Sequence, residues 1–219
     1  MIGASLAPRL HEGAAGLGVA LTETQAEQLL AYGALILKWN KVYNLTALRD
    51  PASVLTHHLL DSLAVVAPLQ RELAHRRLAR PRLLDVGSGA GLPGVVIAIA
   101  CPAIAVSCVD AVAKKVAFIQ QVAAELRLPN LGGLHGRVES LTGAYDVISS
   151  RAFASLAQFV KGSAQLLADG GFWMAMKGKA PDDERADLPA SAEVFHVEPL
   201  AIPGLDAERC IVWMGKAGR

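Results

Sequence analysis

The stretch "LLDVGSGAGLPG", Leu83 to Gly94, decides the fold. An apolar run ends in Asp85, and four glycines follow within eight residues. A short strand entering a loop of this composition suits a ligand that must lie close to backbone, because glycine adopts turns other residues resist and adds no side chain. Pro93 suits the first turn of a helix behind the loop. Outward from this point, short apolar runs alternate with helical segments. "RLLDV", "IAVSCVD", "LGGLHG", "YDVISS" and "GFWMAMK" read as strands. "PGVVIAIA", "VAKKVAFIQQVAAELR" and "ASLAQFVKGSAQLLA" read as helices, with Val112, Val116, Ile119, Ala123 and Leu126 on one stripe of the second. The alternation predicts an α/β fold, a parallel sheet covered by helices on both faces. "EVFHVEPLAI" and "RCIVWMG" are joined by a Pro-Gly turn region without a helix, which predicts an antiparallel pair at the end of the chain.

The first eighty residues read differently. Thr22 and Gln25 have capping-box spacing ahead of a helix whose Leu29, Tyr32, Leu35, Ile36 and Trp39 share one face. Asp50-Pro51 opens a second helical run, and "QRELAHRRLARPR" reads as a helix end and linker with five arginines and one glutamate. The expected organisation is a helical extension, 1–80, packed on a core, 81–219, as one structural unit. A chain of 219 residues with 53% apolar content and a net charge of +1 can bury a proper core, and charge alone marks no nucleic-acid binder. Cys101, Cys108 and Cys210 form no C-x-x-C pair or metal spacing, so buried thiols in a reducing cytosol are expected and no metal is. The N-terminus has no sustained apolar core of a signal peptide. The longest apolar candidate, Leu29 to Leu37, falls far short of the roughly 20 residues a membrane crossing needs. A cytoplasmic monomer with no membrane association is the expectation.

Ligands of such sheets sit beyond the carboxyl ends of the strands. The loop of Gly87, Ser88, Gly89 and Gly91 could hold a dinucleotide or S-adenosylmethionine. A dinucleotide fingerprint needs a third glycine where Leu92 stands. S-adenosylmethionine suits Asp85 as partner of its ammonium and Asp110, ending the second strand, as acceptor of its ribose hydroxyls. Val138 and Glu139 in "GRVES" offer backbone and carboxylate to its adenine. A dehydrogenase would also carry an acid at Asp110, so a nicotinamide-dependent oxidoreductase and a non-catalytic nucleotide-binding module stay open here.

The acceptor is read largely by elimination. After the fourth strand "SSRAFASL" replaces the Pro-Pro-aromatic motif of many base-amine methylases, and no cysteine there could activate a ring carbon. Lys177 ends the fifth strand, but Asp146 stands at the wrong end of the sheet to pair with it. An acceptor that is already nucleophilic, such as guanine N7, needs positioning more than acid–base catalysis. Arg151 follows the fourth strand on the ligand side and could meet a cofactor carboxylate or a phosphate. His57 and Asp61, one turn apart, read as a packed or substrate-facing hydrogen-bond pair. Lys114, Lys115 and the Arg71–Arg82 cluster read either as solvated surface or as phosphate-facing ridges.

"WNKVYNLTALRDPASVLTHHLLDSL", "LLDVGSGAGLPGVVIAI", "VDAVAKKVAFI", "GRVES", "SRAFASL" and "MKGK" together resemble the bacterial small-subunit ribosomal RNA guanine-N7 methyltransferases, the glucose-inhibited division protein B family. The resemblance runs from about Leu21 to Lys216. It implies a class I S-adenosylmethionine-dependent methyltransferase sheet with an N-terminal helical cap, acting on 16S ribosomal RNA or the small ribosomal subunit. It also implies cofactor contacts at Gly87, Leu92, Val138, Glu139 and Arg151, with Arg151 as a positioning residue and no general base. Members often carry Glu where Asp110 stands, which would shift the ribose slightly. The resemblance leaves the role of the basic segment before the first strand open.

Overall fold

The computed structural model describes residues 2–152, 155–180 and 182–218. Phe153 and Ala154 of the "SRAFASL" motif lie outside the described residues. Seven strands form one sheet: β1 (Arg82–Val86), β2 (Ala105–Asp110), β3 (Leu131–His135), β4 (Tyr145–Arg151), β5 (Leu167–Lys177), β6 (Ala192–Leu200) and β7 (Arg209–Lys216). Their order is β3-β2-β1-β4-β5-β7-β6. The first five run parallel, and β7 enters antiparallel between β5 and β6. This is the mixed α/β sheet the strand pattern predicts, and β1 sits where the strand order reverses, the usual ligand-binding place.

The helices are α1 (Ile2–Gly16), α2 (Glu23–Tyr43), α3 (Pro51–Val54), α4 (Asp61–Leu63), α5 (Val66–His75), α6 (Gly94–Ala100), α7 (Ala113–Glu125), α8 (Leu156–Ser163) and α9 (Asp182–Arg185). Thr22 caps α2 through a complete capping box with Gln25, and Asp50 caps α3 with Pro51 in its first turn. Between α3 and α4 the chain takes a π-helical path, Leu55–Leu60. Such wider turns often mark functional positions, and this one carries His57 and His58.

Alternate strand residues divide the interior. Leu83, Val106, Val147 and Met174 pack with α2, α5, α6 and α7, while Leu84, Ile148, Trp173 and Val212 pack with α8. Leu29, Tyr32 and Ile36 of α2 lie in the same apolar cluster as Ile97 and Phe118. Gln25 extends this contact by donating to the carbonyls of Ile99 and Ala100, where α6 ends. In α7, Phe118 and Val122 are wholly buried, whereas Val112, expected on the apolar stripe, is an exposed cap residue. The third predicted helix is shorter than its pattern, because Leu167 already pairs with Tyr145 in the sheet.

A second difference concerns membranes. The helical run Pro51–His75, not Leu29–Leu37, is long and apolar enough to cross one by length and composition, but 78% of its most apolar window is buried inside the molecule.

The basic segment divides in the structure. Arg71 pairs with Glu198 on β6 at 2.6 Å. Arg76 bonds Glu72 and stacks its guanidinium over Phe172, 4.7 Å from the ring centroid. Arg82 opens β1 and lies over the Tyr145 ring at 4.9 Å. A five-residue strand places Arg82 about 13 Å from the carboxyl end where ligands bind. These three arginines are engaged within the fold, whereas Arg77 and Arg80 of the same segment are exposed.

Candidate active site

The loop after β1 is built from tight backbone bonds. Gly87, Gly89 and Gly91 have φ of 64°, 59° and 91°, the left-handed region that favours glycine. Ser88 N–H donates to the Val109 carbonyl, and the N–H groups of Gly91 and Leu92 both donate to the Ser88 carbonyl. Tyr32 of α2, wholly buried, donates its hydroxyl to the Ala90 carbonyl at 2.6 Å. The N-terminal helices thus hold the loop directly. Its apolar periodicity alone marked Tyr32 as core and did not show this bond.

Asp85 has a different place from the one expected. It is wholly buried and lines neither cavity described below. Ser149 Oγ donates to one oxygen at 2.8 Å and Gly94 N–H to the other at 3.0 Å. Burial raises its pKa to about 6, against the lowering effect of these two bonds. The ammonium partner is therefore corrected to a brace that ties β1, β4 and the start of α6 together. A Cβ on Gly94 would come within 2.5 Å of Cys108 Sγ and 2.9 Å of Asp85 Oδ2, so this glycine is needed for packing. Gly91 also lines neither cavity, and a Cβ there would meet Val95 at 2.5 Å.

Two cavities meet at Gly87, which lines both. The first, about 280 Å³, lies over the ends of β2 and β3 and is lined by Asp110, Ala111, Arg137, Val138 and Glu139. Asp110 accepts from Gly89 N–H at 3.0 Å and from Val112 N–H at 2.9 Å, and Lys115 lies 3.6 Å away. A carboxylate has about four acceptor positions, so a vicinal diol still finds acceptors there. Lys115 is tied to this carboxylate and does not stand as a free ridge.

The second cavity, about 440 Å³, is walled by Ser88, Gly89, Leu92, Arg151, Lys177 and Arg209, with Thr46, His57, His58 and Asp61 contributed by the N-terminal region. Asp61, only 3% exposed at its side chain, joins two cations. Arg151 Nη1 lies 3.0 Å from one oxygen and Arg209 Nε 2.8 Å from the other. Arg151 also donates to the His57 carbonyl. The expected His57–Asp61 pair does not form. The Asp61 carboxylate is taken by arginines, and the His57 ring is exposed at the cavity wall. Arg209 was not anticipated, because an arginine beginning the last strand gives no signal until β7 inserts beside β5.

The neighbouring polar groups are also engaged. His58 Nδ1 faces the His57 carbonyl at 3.0 Å and must donate to it; Nε2 then accepts from the Thr46 hydroxyl at 2.7 Å. Burial, with Arg151 adding to it, lowers the His58 pKa and favours this neutral tautomer. Asn40 fixes the Thr46 loop through Thr46 N–H and the Leu48 carbonyl. Lys177 sits 2.9 Å from each oxygen of Glu184, which also accepts from Leu156 N–H. Burial pushes Glu184 up, but the bonds from Lys177 and Leu156 outweigh it and leave its pKa lowered. Asp146 indeed stands at the far end, bonded to Arg82 N–H; Glu184 is the acid the sequence reading missed. Among the described residues, no three His, Cys, Asp or Glu side chains gather as a metal site.

The groove has a diol acceptor at one end, open backbone at Gly89, where an added Cβ would meet nothing within 4 Å, and guanidinium donors at the other end. That donor set fits S-adenosylmethionine, which carries a ribose diol and a carboxylate.

Comparison with known proteins agrees. The family model described as "rRNA small subunit methyltransferase G" matches residues 25–212. A ribosomal RNA small subunit methyltransferase G from Acidovorax sp. (strain JS42) is 63% identical over 210 residues, covering 94% of this chain and 93% of the relative. Its counterpart from Albidiferax ferrireducens is 64% identical over 212 residues, covering 94% and 95%. Among solved structures, TrmN from Thermus thermophilus superposes with a TM-score of 0.56 at 17% identity, covering 74% of this chain and 53% of that one. MtNAS in complex with MTA and tNA gives 0.56 at 14%, covering 88% and 71%. These distant likenesses show the class I methyltransferase fold. The family match closes the oxidoreductase and binding-module alternatives: the chain belongs to the rRNA small subunit methyltransferase G family, whose methyl donor is S-adenosylmethionine.

Proposed function

We propose that this protein transfers a methyl group from S-adenosylmethionine to N7 of a guanine in small-subunit ribosomal RNA. The observation that carries the reading is the state of the second cavity. Asp61 is held by two arginines, Lys177 by Glu184, and both ring nitrogens of His58 are hydrogen-bonded. These groups are held by partners within the protein, which leaves His57, exposed at the cavity wall, as the side chain whose replacement tests for a base. Guanine N7 has a free lone pair and no proton to lose, so it suits a site that positions and does not deprotonate.

When bound, S-adenosylmethionine supplies an electrophilic methyl group on a sulfonium. The chain's own residues do the rest. Gly87, Ser88, Gly89 and Leu92 give backbone and close walls along the cofactor, and Asp110 accepts from its ribose. Val138 and Glu139 flank the adenine, and Arg151 orients the junction between cofactor and guanine. Gly91 and Asp85 act at one remove, by shaping and bracing the loop. The helical extension, 1–80, and the core, 81–219, work as one unit, since Thr46, His57, His58 and Asp61 complete the cavity. The protein acts in the cytoplasm as a monomer, with no membrane involved.

Purified protein incubated with labelled S-adenosylmethionine and small-subunit RNA or subunits should label the RNA. The label should map to one guanine that becomes sensitive to the borohydride–aniline cleavage specific for 7-methylguanosine. Labelling that resists this cleavage, or that maps to an exocyclic amine or a ribose, refutes the N7 assignment.

A further inference from the structure

We infer that the C-terminal end of α2 and the loop after it form a cationic track that carries the RNA phosphate backbone toward the catalytic cavity. This inference deepens the reading above and rests on the substrate being RNA. Lys38, Lys41 and Arg49 line an open groove of about 510 Å³ with Ala34, Leu37 and Pro51. All three cations are exposed. Among the described residues Lys38 and Lys41 have no ion-pair partner, and the Arg49 guanidinium bonds the neutral Asn44 side chain at 3.1 Å. Residues 38–49 contain no acid. Asp50 beside them is spent capping Ser53 N–H.

Two further observations give the track a direction and a ligand class. The same segment continues into Leu45 and Thr46, which wall the catalytic cavity, so a chain lying along the groove is led to the site. A run of exposed cations with no acid among them suits the phosphate backbone of a polyanion such as RNA. Several other basic side chains are already engaged. Arg71, Arg76 and Lys115 are ion-paired, and Arg82 lies over Tyr145 at the opposite end of β1.

The test compares wild type with two variants of equal net charge. One is Lys38→Gln/Lys41→Gln/Arg49→Gln. The control is Arg77→Gln/Arg80→Gln/Lys161→Gln, exposed cations outside both the groove and the cavity. Binding to naked small-subunit RNA and to small subunits is measured from about 50 to 200 mM salt, with S-adenosylmethionine affinity alongside. Each lost phosphate contact lowers the slope of log affinity against log salt by about 0.7–0.9. The track variant should therefore show a slope smaller by roughly 2 and RNA binding about ten- to a hundredfold weaker at low salt. Its cofactor affinity and its rate at saturating RNA should match wild type, and the control should bind as wild type. A wild-type slope in the track variant, or an equal loss in the control, overturns the track. Loss on the small subunit with naked-RNA binding intact identifies a protein partner and also overturns it. If wild type itself neither binds nor methylates RNA, the proposed substrate fails, a result distinct from the others.

Discussion

Asp61→Ala is the perturbation with the most to say about this site. The carboxylate is nearly enclosed and lies 3.0 Å and 2.8 Å from two guanidinium nitrogens. At an effective dielectric of about 20, each contact is worth roughly 5 kcal/mol of gross Coulomb attraction, most of it offset by desolvation. Removing one partner of a buried pair is nevertheless destabilising by roughly 3–5 kcal/mol, because the other charge stays behind. Arg151 and Arg209 are 22% and 26% exposed and partly rehydrate, so the lower end, about 3 kcal/mol, is expected. For a chain of this size that is a melting decrease of roughly 10 °C. The functional effect should be larger than this loss accounts for. Without Asp61, Arg151 retains its bond to the His57 carbonyl and loses its fixed direction. Angstrom-scale misplacement of this kind costs on the order of a hundredfold in turnover. The assay is single-turnover methyl transfer at saturating RNA and cofactor, at a temperature where circular dichroism shows the variant folded, with and without added formate. Formate fits the vacated position between the two arginines and should restore part of kcat. A folded Asp61→Ala protein with wild-type kcat, or a slow one indifferent to formate, would refute the view that this carboxylate aims Arg151.

Further expectations concern the cofactor loop and its supports. Asp110→Ala removes the ribose acceptor and also frees Gly89 N–H, so S-adenosylmethionine affinity measured by calorimetry should fall by roughly 1.5–3 kcal/mol. Tyr32→Phe keeps the packing but orphans the buried Ala90 carbonyl. It should lower stability by about 1–3 kcal/mol and weaken cofactor binding, with RNA affinity unchanged; equal cofactor affinity would show that the loop holds itself. Gly94→Ala forces a methyl to within 2.5 Å of Cys108 Sγ and should destabilise by roughly 1–3 kcal/mol in chemical denaturation. Asp85 has a folded pKa of about 6, raised by burial above its unfolded value near 3.8. The folded state therefore holds the proton more tightly, and stability falls as pH rises from about 4 to 6, by about 3 kcal/mol in all. Asp85→Asn should remove that slope, and an unchanged pH profile would place the ionisation elsewhere.

The sheet was legible because its signals are local. Each parallel strand is a short apolar run, each crossover a helical pattern, and the missing helix before "RCIVWMG" announced the antiparallel β7. The glycine loop and Asp110 were legible for the same reason: turn chemistry and a strand-ending acid are readable in a few residues. Asp85 was misread because a carboxylate beside a ligand loop and one buried beneath it look alike in sequence. Its burial depends on Ser149, sixty-four positions away. Arg209 was missed on the same ground, since its partner Asp61 lies 148 positions away, whereas Glu184 sits on a short helix only seven positions from Lys177 and carries no pattern that marks it. The resemblance rests in part on "WNKVYNLTALRDPASVLTHHLLDSL" and "SRAFASL", which as sequence carry no physical reason to belong together. The structure supplies one. Thr46 holds His58, and Asp61 holds Arg151, so the two stretches form one connected polar wall.

That wall changes how the helical extension is understood. A cap that merely covered the sheet would need only an apolar face, and α2 has one in Leu29, Tyr32 and Ile36. Among the described residues α2 also makes three side-chain hydrogen-bonding contacts with the core: Tyr32 on the glycine loop, Gln25 on the end of α6 and Gln28 on the end of α7, and the first of these shapes the ligand loop directly. The π-helical turn then delivers Asp61 between Arg151 on β4 and Arg209 on β7, elements that enter the sheet far apart in the chain. Removing residues 1–80 would expose the apolar face of α6 and α7, open the glycine loop, and leave two guanidinium groups in one cavity without their carboxylate. A pair of like charges so placed repels and rehydrates, and the cavity loses the geometry that N7 chemistry depends on, since positioning is what such a site contributes. The methyltransferase sheet thus needs its N-terminal helices to complete the site as well as to cover it.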